Sequence, residues 1–138
     1  MTGQPDGVEI ALRALRFRDR SAAELGARLE QHGVVETERE RALEALVRIG
    51  YLDDERFARM RAQQLADRAS GNALIRNDLE RRGVAADVIA RALGDLVPER
   101  ERAERIVERR GRSAKTARYL ASRGFEEEAL EALVAAED

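Results

Sequence analysis

Residues 79–84 read Leu-Glu-Arg-Arg-Gly-Val, and this hexapeptide decides how the chain is interpreted because two near copies of it occur elsewhere. The copies are Leu-Glu-Gln-His-Gly-Val at 29–34 and Leu-Ala-Ser-Arg-Gly-Phe at 120–125. A glycine after a helical run is typical of a helix end, where a residue of left-handed conformation stops the helix without a Cβ penalty. The three hexapeptides therefore predict three equivalent helix ends, which are the first sign of an internal repeat.

The similarity continues on both sides of the hexapeptides. The residue four positions before each leucine is mostly apolar, and so is the residue ten positions after each glycine. They are Leu25, Ile75 and Thr116 on the first side and Leu43, Leu93 and Val134 on the second. The predicted divisions are a flexible leader at 1–7 and three-helix repeats at 8–54, 55–97 and 98–138. Such repeats stack into an elongated, curved array, because each needs its neighbours to bury its apolar face. Chance convergence of amphipathic hairpins is the alternative.

The fold class follows from the residue composition and from the spacing of the apolar residues. Ala, Leu, Glu and Arg dominate, which favours helix. Apolar residues recur at spacings of three and four, as in Val88, Ile89, Ala92 and Leu93. No stretch alternates long enough to indicate a strand. We expect an all-α protein with about nine short helices, near 8–19, 21–32, 37–49, 54–69, 71–82, 85–97, 98–111, 113–123 and 126–137.

Local signals support these helices. Ser21 with Glu24, and Thr37 with Glu40, have the spacing of a capping box. Asp53 and Ser113 are further predicted N-caps, and Pro98 can open a helix but not continue one. The five aromatic residues are expected to anchor the helical cores, with base stacking by a tyrosine as the alternative. They are Phe17, Tyr51, Phe57, Tyr119 and Phe125.

Composition argues against most enzyme classes. Among the 138 residues, 25 are Lys or Arg and 27 are Asp or Glu, so the formal net charge is only −2. There is no Cys and one His, His32, which excludes a thiolate zinc site or cysteine nucleophile and leaves little for a histidine-based site. The acidic clusters lie at predicted helix starts, where the helix dipole favours them. We therefore expect no enzyme, no metal and no cofactor. No signal peptide or long apolar run is visible, so we also expect a cytoplasmic protein without membrane contact.

The charge is uneven along the chain. Between Arg105 and Arg123 there are seven basic residues and one acid, Glu108. The candidate binding residues in this stretch are Arg109, Arg110, Arg112, Lys115, Arg118 and Arg123, and a weaker group is Arg76, Arg81 and Arg82. Such clusters fit an anionic partner, either phosphate or an acidic protein surface. An ordinary solvated helix face is the alternative.

Three segments resemble those of a known family. They read ALRALRFRDRSAAEL at 11–25, GYLDDERFA at 50–58 and RYLASRGF at 118–125. In this order they are similar to the signature segments of the bacterial regulatory protein RecX family. One departure is Leu74, where family members commonly carry a basic residue.

The resemblance implies a function and partners. Members of this family modulate the RecA recombinase: they bind in the groove of the RecA–DNA filament and inhibit its growth, strand exchange, ATP hydrolysis and co-protease activity. The implied fold is three three-helix repeats, and the implied partners are the RecA filament and single-stranded DNA, with double-stranded DNA as a further one. The resemblance implies a non-enzymatic protein, which we expect to be a monomer.

A second hypothesis remains beside this one. The eighth predicted helix could act as the recognition element of a small helix-turn-helix DNA-binding regulator. That helix has no Asn or Gln to read base edges, so its arginines would mainly contact phosphate.

Overall fold

The computed structural model describes residues 6–135 of the chain, with side chains up to Glu131. All regular structure in that range is α-helical, which confirms the predicted fold class. The nine helices are α1 (Gly7–Phe17), α2 (Ala22–Gln31), α3 (Glu36–Arg48), α4 (Asp54–Asp67), α5 (Asn72–Arg81), α6 (Ala86–Gly94), α7 (Glu99–Arg110), α8 (Ala114–Ser122) and α9 (Glu127–Ala135). None of them is long and apolar enough to cross a bilayer.

Most helix boundaries lie within two residues of the prediction. The sixth helix ends at Gly94 rather than at 97, because the chain turns there and the amide of Leu96 donates to the carbonyl of Leu93. At the N-terminus, the side chain of Asp6 accepts hydrogen bonds from the amides of Val8 and Glu9 and so caps α1, whose first residue, Gly7, is buried. Residues 1–5 of the predicted leader and residues 136 and 137 of the predicted last helix lie outside the described range.

The two predicted capping boxes have different outcomes. Ser21 and Glu24 form a complete box at the start of α2. The box predicted at Thr37 and Glu40 was wrong: α3 begins at Glu36, its N-cap is Val35, and no side chain caps it. Because the helix starts one residue before Thr37, this hydroxyl lies inside the first turn and is exposed, with no cap amide in reach.

The helices contact one another in three consecutive groups of three, α1–α3, α4–α6 and α7–α9, which we call units 1, 2 and 3. Each unit has its own buried apolar cluster. In the first it includes Leu25, Leu29, Leu46 and Leu52, in the second Phe57, Ile75, Leu79 and Ile89, and in the third Ala103, Ile106, Leu120 and Phe125. Burial of a large apolar side chain contributes about 1.5–3 kcal/mol to stability. Each unit is therefore stabilised mainly by contacts within its own apolar cluster.

The aromatic residues divide into two groups. Phe57 and Phe125 are buried in the cores of units 2 and 3, as predicted. The prediction was wrong for Phe17 and Tyr51, whose exposed fractions are 79% and 58%. Phe17 is the last residue of α1, and Tyr51 lies in the turn after α3, so both rings are beyond the apolar face of their helix. Tyr119 is half-buried.

Candidate functional site

Consecutive units meet at a junction, in which the C-terminal end of one helix contacts the N-terminal end of another. At the first junction the C-terminal turn of α5 lies against the N-terminal turn of α2. The hydroxyl of Ser21 donates to the carbonyl of Arg82 at 2.5 Å, and the amide of Ala22 donates to Oδ1 of Asp54 at 2.8 Å. Gly83 is so close to Ala23 that a Cβ atom on the glycine would lie 2.3 Å from that of the alanine.

The second junction repeats this arrangement with the next pair of units. The amide of Gly71 donates to the carbonyl of Arg123 at 2.7 Å, and that of Ala73 to the carbonyl of Gly124 at 3.1 Å. The amide of Asn72 donates to Oε2 of Glu99 at 2.5 Å. Asp54 and Glu99 are the first residues of α4 and α7, so in both cases a carboxylate from the next unit binds the first amide of the preceding second helix.

Charged side chains reinforce the first junction. Arg82 binds Glu24 of unit 1 and Asp78 of its own helix, each at 2.9 Å, and Arg61 binds the two oxygens of Asp78 at 3.0 and 2.9 Å. The hydrogen bond from Arg61, followed by that from Arg82, holds the pKa of the Asp78 carboxyl below its ordinary value, although burial opposes the shift. This buried carboxylate is therefore ionised at neutral pH and fixes both guanidinium groups.

Two arginines reinforce the second junction. Arg102 is buried and donates to the carbonyls of Val97 and Ser70 at 2.8 and 2.9 Å and to the side-chain oxygen of Asn72. Burial lowers the pKa of Arg102, as expected for a cation whose hydrogen-bond partners are neutral. Arg123 donates to the carbonyl of Arg68 at 2.9 Å and to Oγ of Ser70 at 3.1 Å. Both side chains therefore connect unit 3 to the end of α4 and the start of α5.

Three of the nine predicted binding residues thus hold the units together. Arg82 and Arg123 belong to the two junctions, and Arg76 binds Glu126 of unit 3 at 2.9 Å. Arg81 is exposed and lies 3.8 Å from Asp78. The partners of the first three are about fifty residues or more away in sequence, which is why the sequence did not distinguish them from surface cations.

The other predicted residues lie together where α7 ends and α8 begins. We call the exposed side chains of Arg109, Arg110, Lys115 and Arg118 the basic corner. Within residues 6–131 no carboxylate is ion-paired with any of these four. The guanidinium of Arg110 stacks on the ring of Tyr119 at 3.7 Å. Arg112, also exposed, lies in the connection between the two helices.

Backbone geometry gives the basic corner its shape. Gly111 ends α7 with φ of 95°, a conformation that disfavours any residue with a Cβ, and turns the chain toward α8. The hydroxyl of Ser113 then accepts a hydrogen bond from the amide of Thr116 and caps α8, as predicted. The turn brings the last turn of α7 beside the first turn of α8. Four exposed cations from two helices therefore lie on either side of this turn, and such groups bind phosphate or carboxylate.

The described residues contain no arrangement typical of a metal site: no group of three or more His, Asp or Glu side chains among them could hold a metal ion. His32, the single histidine, is exposed at the end of α2. The acidic residue Asp53 serves as the N-cap of α4, as predicted.

Comparison with known protein sequences identifies relatives. The family model described as RecX, second three-helix domain, matches residues 53–93. The regulatory protein RecX of Syntrophotalea carbinolica is 39% identical over 106 residues, covering 75% of this chain and 69% of that protein. The regulatory protein RecX of Trichlorobacter lovleyi is 36% identical, and the match covers 80% of this chain and 76% of that protein. That of Mycolicibacterium smegmatis is 36% identical, and the chain spans only 58% of its length.

Solved structures show the same fold. The crystal structure of RecX from Lactobacillus salivarius matches with a TM-score of 0.80 at 18% identity, covering 94% of this chain and 92% of that one. A second structure, described as regulatory protein RecX, matches with a TM-score of 0.77 at 19% identity, covering 94% and 71%. At this level of identity the likeness concerns the backbone architecture, which is common to the three chains.

Proposed function

Because the chain belongs to the family of RecX regulatory proteins, we propose that it regulates the RecA recombinase by binding the RecA–DNA filament. In this proposal it inhibits strand exchange, ATP hydrolysis and co-protease activity, and so modulates DNA repair and the SOS response. It is not an enzyme in this role and needs no cofactor. It acts as a monomer in the cytoplasm, with the filament and its single-stranded or double-stranded DNA as partners.

The observation that carries the proposal is the basic corner. Its four cations are exposed and have no carboxylate partner among the described residues, so binding an anion breaks no ion pair within the protein. A nucleoprotein filament offers phosphate and carboxylate groups, and both match the planar guanidinium group. The net charge of the chain is only −2, so a local cluster of this kind, rather than the whole protein, would steer association.

The arginines of the junctions support the proposal in a different way. Arg82 and Arg123 are used in fixing one unit against the next, which sets the spacing of surfaces along the chain. Leu74, at the position where relatives commonly carry a basic residue, is half-buried at the second junction. A Cβ atom on Gly124 would lie 2.7 Å from that of Leu74, so this side chain contributes to the junction rather than to an exposed charge.

Inhibition of ATP hydrolysis by RecA on single-stranded DNA tests the proposal. We expect hydrolysis to stop at micromolar protein, and an absence of inhibition would contradict the proposal. A variant with Arg109, Arg110, Lys115 and Arg118 changed to Ala should inhibit at least about tenfold more weakly, which corresponds to 1.4 kcal/mol of binding free energy. The control carries Ala at four exposed arginines of units 1 and 2, namely Arg16, Arg41, Arg48 and Arg59, and should inhibit like the unmodified protein.

The alternative, a small DNA-binding regulator with a helix-turn-helix-like unit, has one observation in its favour: Lys115 and Arg118 of the basic corner are exposed on α8. Since α8 carries no Asn or Gln, contacts to DNA would be to phosphates, with a steep dependence on salt and little on sequence. Tight binding to one duplex sequence, in the absence of RecA, would favour this alternative.

A further inference from the structure

The end of α1 leaves an aromatic ring in solvent next to a cation. Phe17 is the last residue of α1, and its exposed fraction, 79%, is the largest of any large apolar residue that the structure describes. Arg18 follows it in extended conformation and is also exposed. The ring lies outside the buried apolar cluster of unit 1. Its exposure is therefore a feature of the surface that packing within the unit does not explain.

Three arginines lie around this end of α1. Nε of Arg20 donates to the carbonyl of Ala14, in the last turn of the helix, at 3.4 Å. Burial lowers the pKa of Arg20, and the neighbouring charges of Arg18 and Arg28 lower it further. The carboxylate of Glu24 acts in the opposite direction but does not reverse the shift. Within residues 6–131 none of the three arginines is ion-paired with a carboxylate, so unit 1 carries positive charge here that it does not neutralise.

An open cleft lies beside the same cations, between the α1–α2 connection and α4. Its volume is about 260 Å³, and Arg18 and Asp19 line it from unit 1. Met60 and Gln64 of α4, both exposed, line it from unit 2. Among the residues described, Asp19 is the one carboxylate of this lining. The cleft thus offers a cation, an apolar side chain and an amide to a ligand that also reaches Phe17.

The combination of a ring with cations selects the kind of ligand. A single strand of nucleic acid carries bases that are free to stack and phosphates beside each of them, whereas a duplex holds its bases inside the helix. An exposed aromatic ring stacks on a base of any identity, and a guanidinium group binds phosphate through two hydrogen bonds. An acidic protein segment would pair with the arginines but offers no base to the ring. Single-stranded DNA therefore matches both features.

We propose that Phe17, Arg18 and Arg20 form a binding site for single-stranded DNA on unit 1, separate from the basic corner of unit 3. One base stacks on the ring of Phe17, and the two guanidinium groups bind the phosphates next to it. The strand continues past Arg18 into the cleft beside Met60. The inference rests on the proposed function for DNA as a partner and adds the place on unit 1 that contacts the strand.

Substitutions at Phe17 separate stacking from contact with any apolar side chain. Binding of a fluorescent oligothymidylate, without RecA, is measured by anisotropy. Stacking on an aromatic ring raises affinity about fivefold or more per base, so Phe17→Leu should bind at least about fivefold more weakly and Phe17→Tyr like the unmodified protein. Ile49→Ala, at an exposed apolar position next to an arginine in the same unit, is the control and should bind normally. Equal binding by Phe17→Leu and the unmodified protein would overturn the inference.

The basic corner must not mask this effect, since it also attracts phosphate. The Phe17 substitutions are therefore repeated in the variant with Ala at Arg109, Arg110, Lys115 and Arg118. We expect the oligothymidylate to bind this variant, and Phe17→Leu to weaken the remaining binding by at least the same factor. Complete loss of binding on removal of the basic corner alone would overturn a separate site on unit 1.

The salt dependence of binding tests the phosphate contact of Arg18. Each phosphate contact with a single strand contributes about −0.7 to the slope of log K against log salt concentration. Arg18→Ala should therefore make the slope shallower by about 0.7, whereas Phe17→Leu should leave the slope unchanged. Arg48→Ala, at an exposed arginine that ends α3, is the control and should change neither affinity nor slope. An unchanged slope for Arg18→Ala would overturn the inference.

Photocross-linking identifies the residue that contacts the base. A 5-iodouracil in the oligonucleotide joins to an aromatic side chain on which it stacks, and peptide mapping should place the product at Phe17. A product at Tyr51 or Tyr119 without one at Phe17 would overturn the inference. Inhibition of RecA with no product at Phe17 would contradict the inference alone. A product at Phe17 without inhibition of RecA would contradict the proposed function and leave the binding site in place.

Discussion

Gly83 and Ala23 belong to different units, yet a Cβ atom on the glycine would lie 2.3 Å from the Cβ of the alanine. The same glycine has φ of 78° and ends α5. One residue therefore serves two purposes, a left-handed helix end and a close approach between units. The hexapeptide repeat identified the first purpose, whereas only the packed structure reveals the second.

Gly33 and Gly83 allow the two purposes to be separated. Both have φ near 80°, so alanine at either position costs about 1–2 kcal/mol of conformational free energy. Only Gly83→Ala also forces the first junction apart, and overpacking adds about 1–3 kcal/mol. We expect urea denaturation to give a larger loss of unfolding free energy for Gly83→Ala than for Gly33→Ala. Equal losses would show that the contact with Ala23 relaxes freely.

Ser21 and Ser113 form a second matched pair. Each hydroxyl caps its own helix by accepting from a backbone amide, a contact that contributes about 1 kcal/mol. Ser21 also donates to the carbonyl of Arg82 across the first junction. Ser21→Ala should therefore lower the midpoint of thermal unfolding more than Ser113→Ala. The reverse order would contradict the role given to this junction hydrogen bond.

The repeat was predictable because a few adjacent residues specify where a helix ends. The leucines and glycines of the three hexapeptides occupy the same places in all three units, and the cap at Ser21 was read from four adjacent residues. The cap at Thr37 was misread because the helix starts one residue earlier, a shift that the adjacent residues do not specify.

Asp78 makes the first junction sensitive to acid. The pKa of its carboxyl is lowered by hydrogen bonds from Arg61 and Arg82. A carboxyl whose folded pKa lies below its unfolded value adds stability above about pH 4, and this stability is lost as the pH falls through the folded pKa. Asp78→Asn should lower the free energy of unfolding by about 1.5–3 kcal/mol at pH 7. It should also make this free energy depend less on pH below about pH 4. Urea denaturation from pH 7 to pH 3 measures both effects; parallel curves for the two proteins would contradict the assignment.

Arg102 is expected to be irreplaceable at the second junction. Its planar group reaches two backbone carbonyls and the side-chain oxygen of Asn72 from one buried position. A lysine ammonium cannot reproduce that fork, so Arg102→Lys should destabilise unit 3 nearly as much as Arg102→Met. Hydrogen exchange of α7–α9 measures the effect. Full rescue of protection by lysine would mean that charge alone matters here.

Phe17 and Phe57 should differ strongly in their contribution to stability. Phe57 is buried in the core of unit 2, and replacing a buried phenylalanine by alanine costs about 3–5 kcal/mol. Phe17 is exposed, and Phe17→Ala should change the unfolding free energy by less than about 0.5 kcal/mol. Chemical denaturation of the two variants checks the burial of each ring. A large effect of Phe17→Ala would indicate a contact of this ring in solution.

The candidate site was predictable only in part. The sequence located a cationic stretch from Arg105 to Arg123, and four of its members, those of the basic corner, are exposed on either side of the turn at Gly111. It could not indicate that Arg123, in the same stretch, turns toward Ser70 of unit 2. Charge density along a chain measures how many cations are present, whereas the direction of each depends on partners brought close by folding.

The carboxylates of Asp54 and Glu99 have a consequence for synthesis. Each completes the start of a helix that left the ribosome earlier, because the acceptor for Ala22 lies in unit 2 and that for Asn72 lies in unit 3. A nascent chain that ends after α3 therefore carries α2 with its first amide still bound to water. Completion therefore follows translation one unit behind, because each newly made unit supplies the carboxylate that the unit made before it lacks.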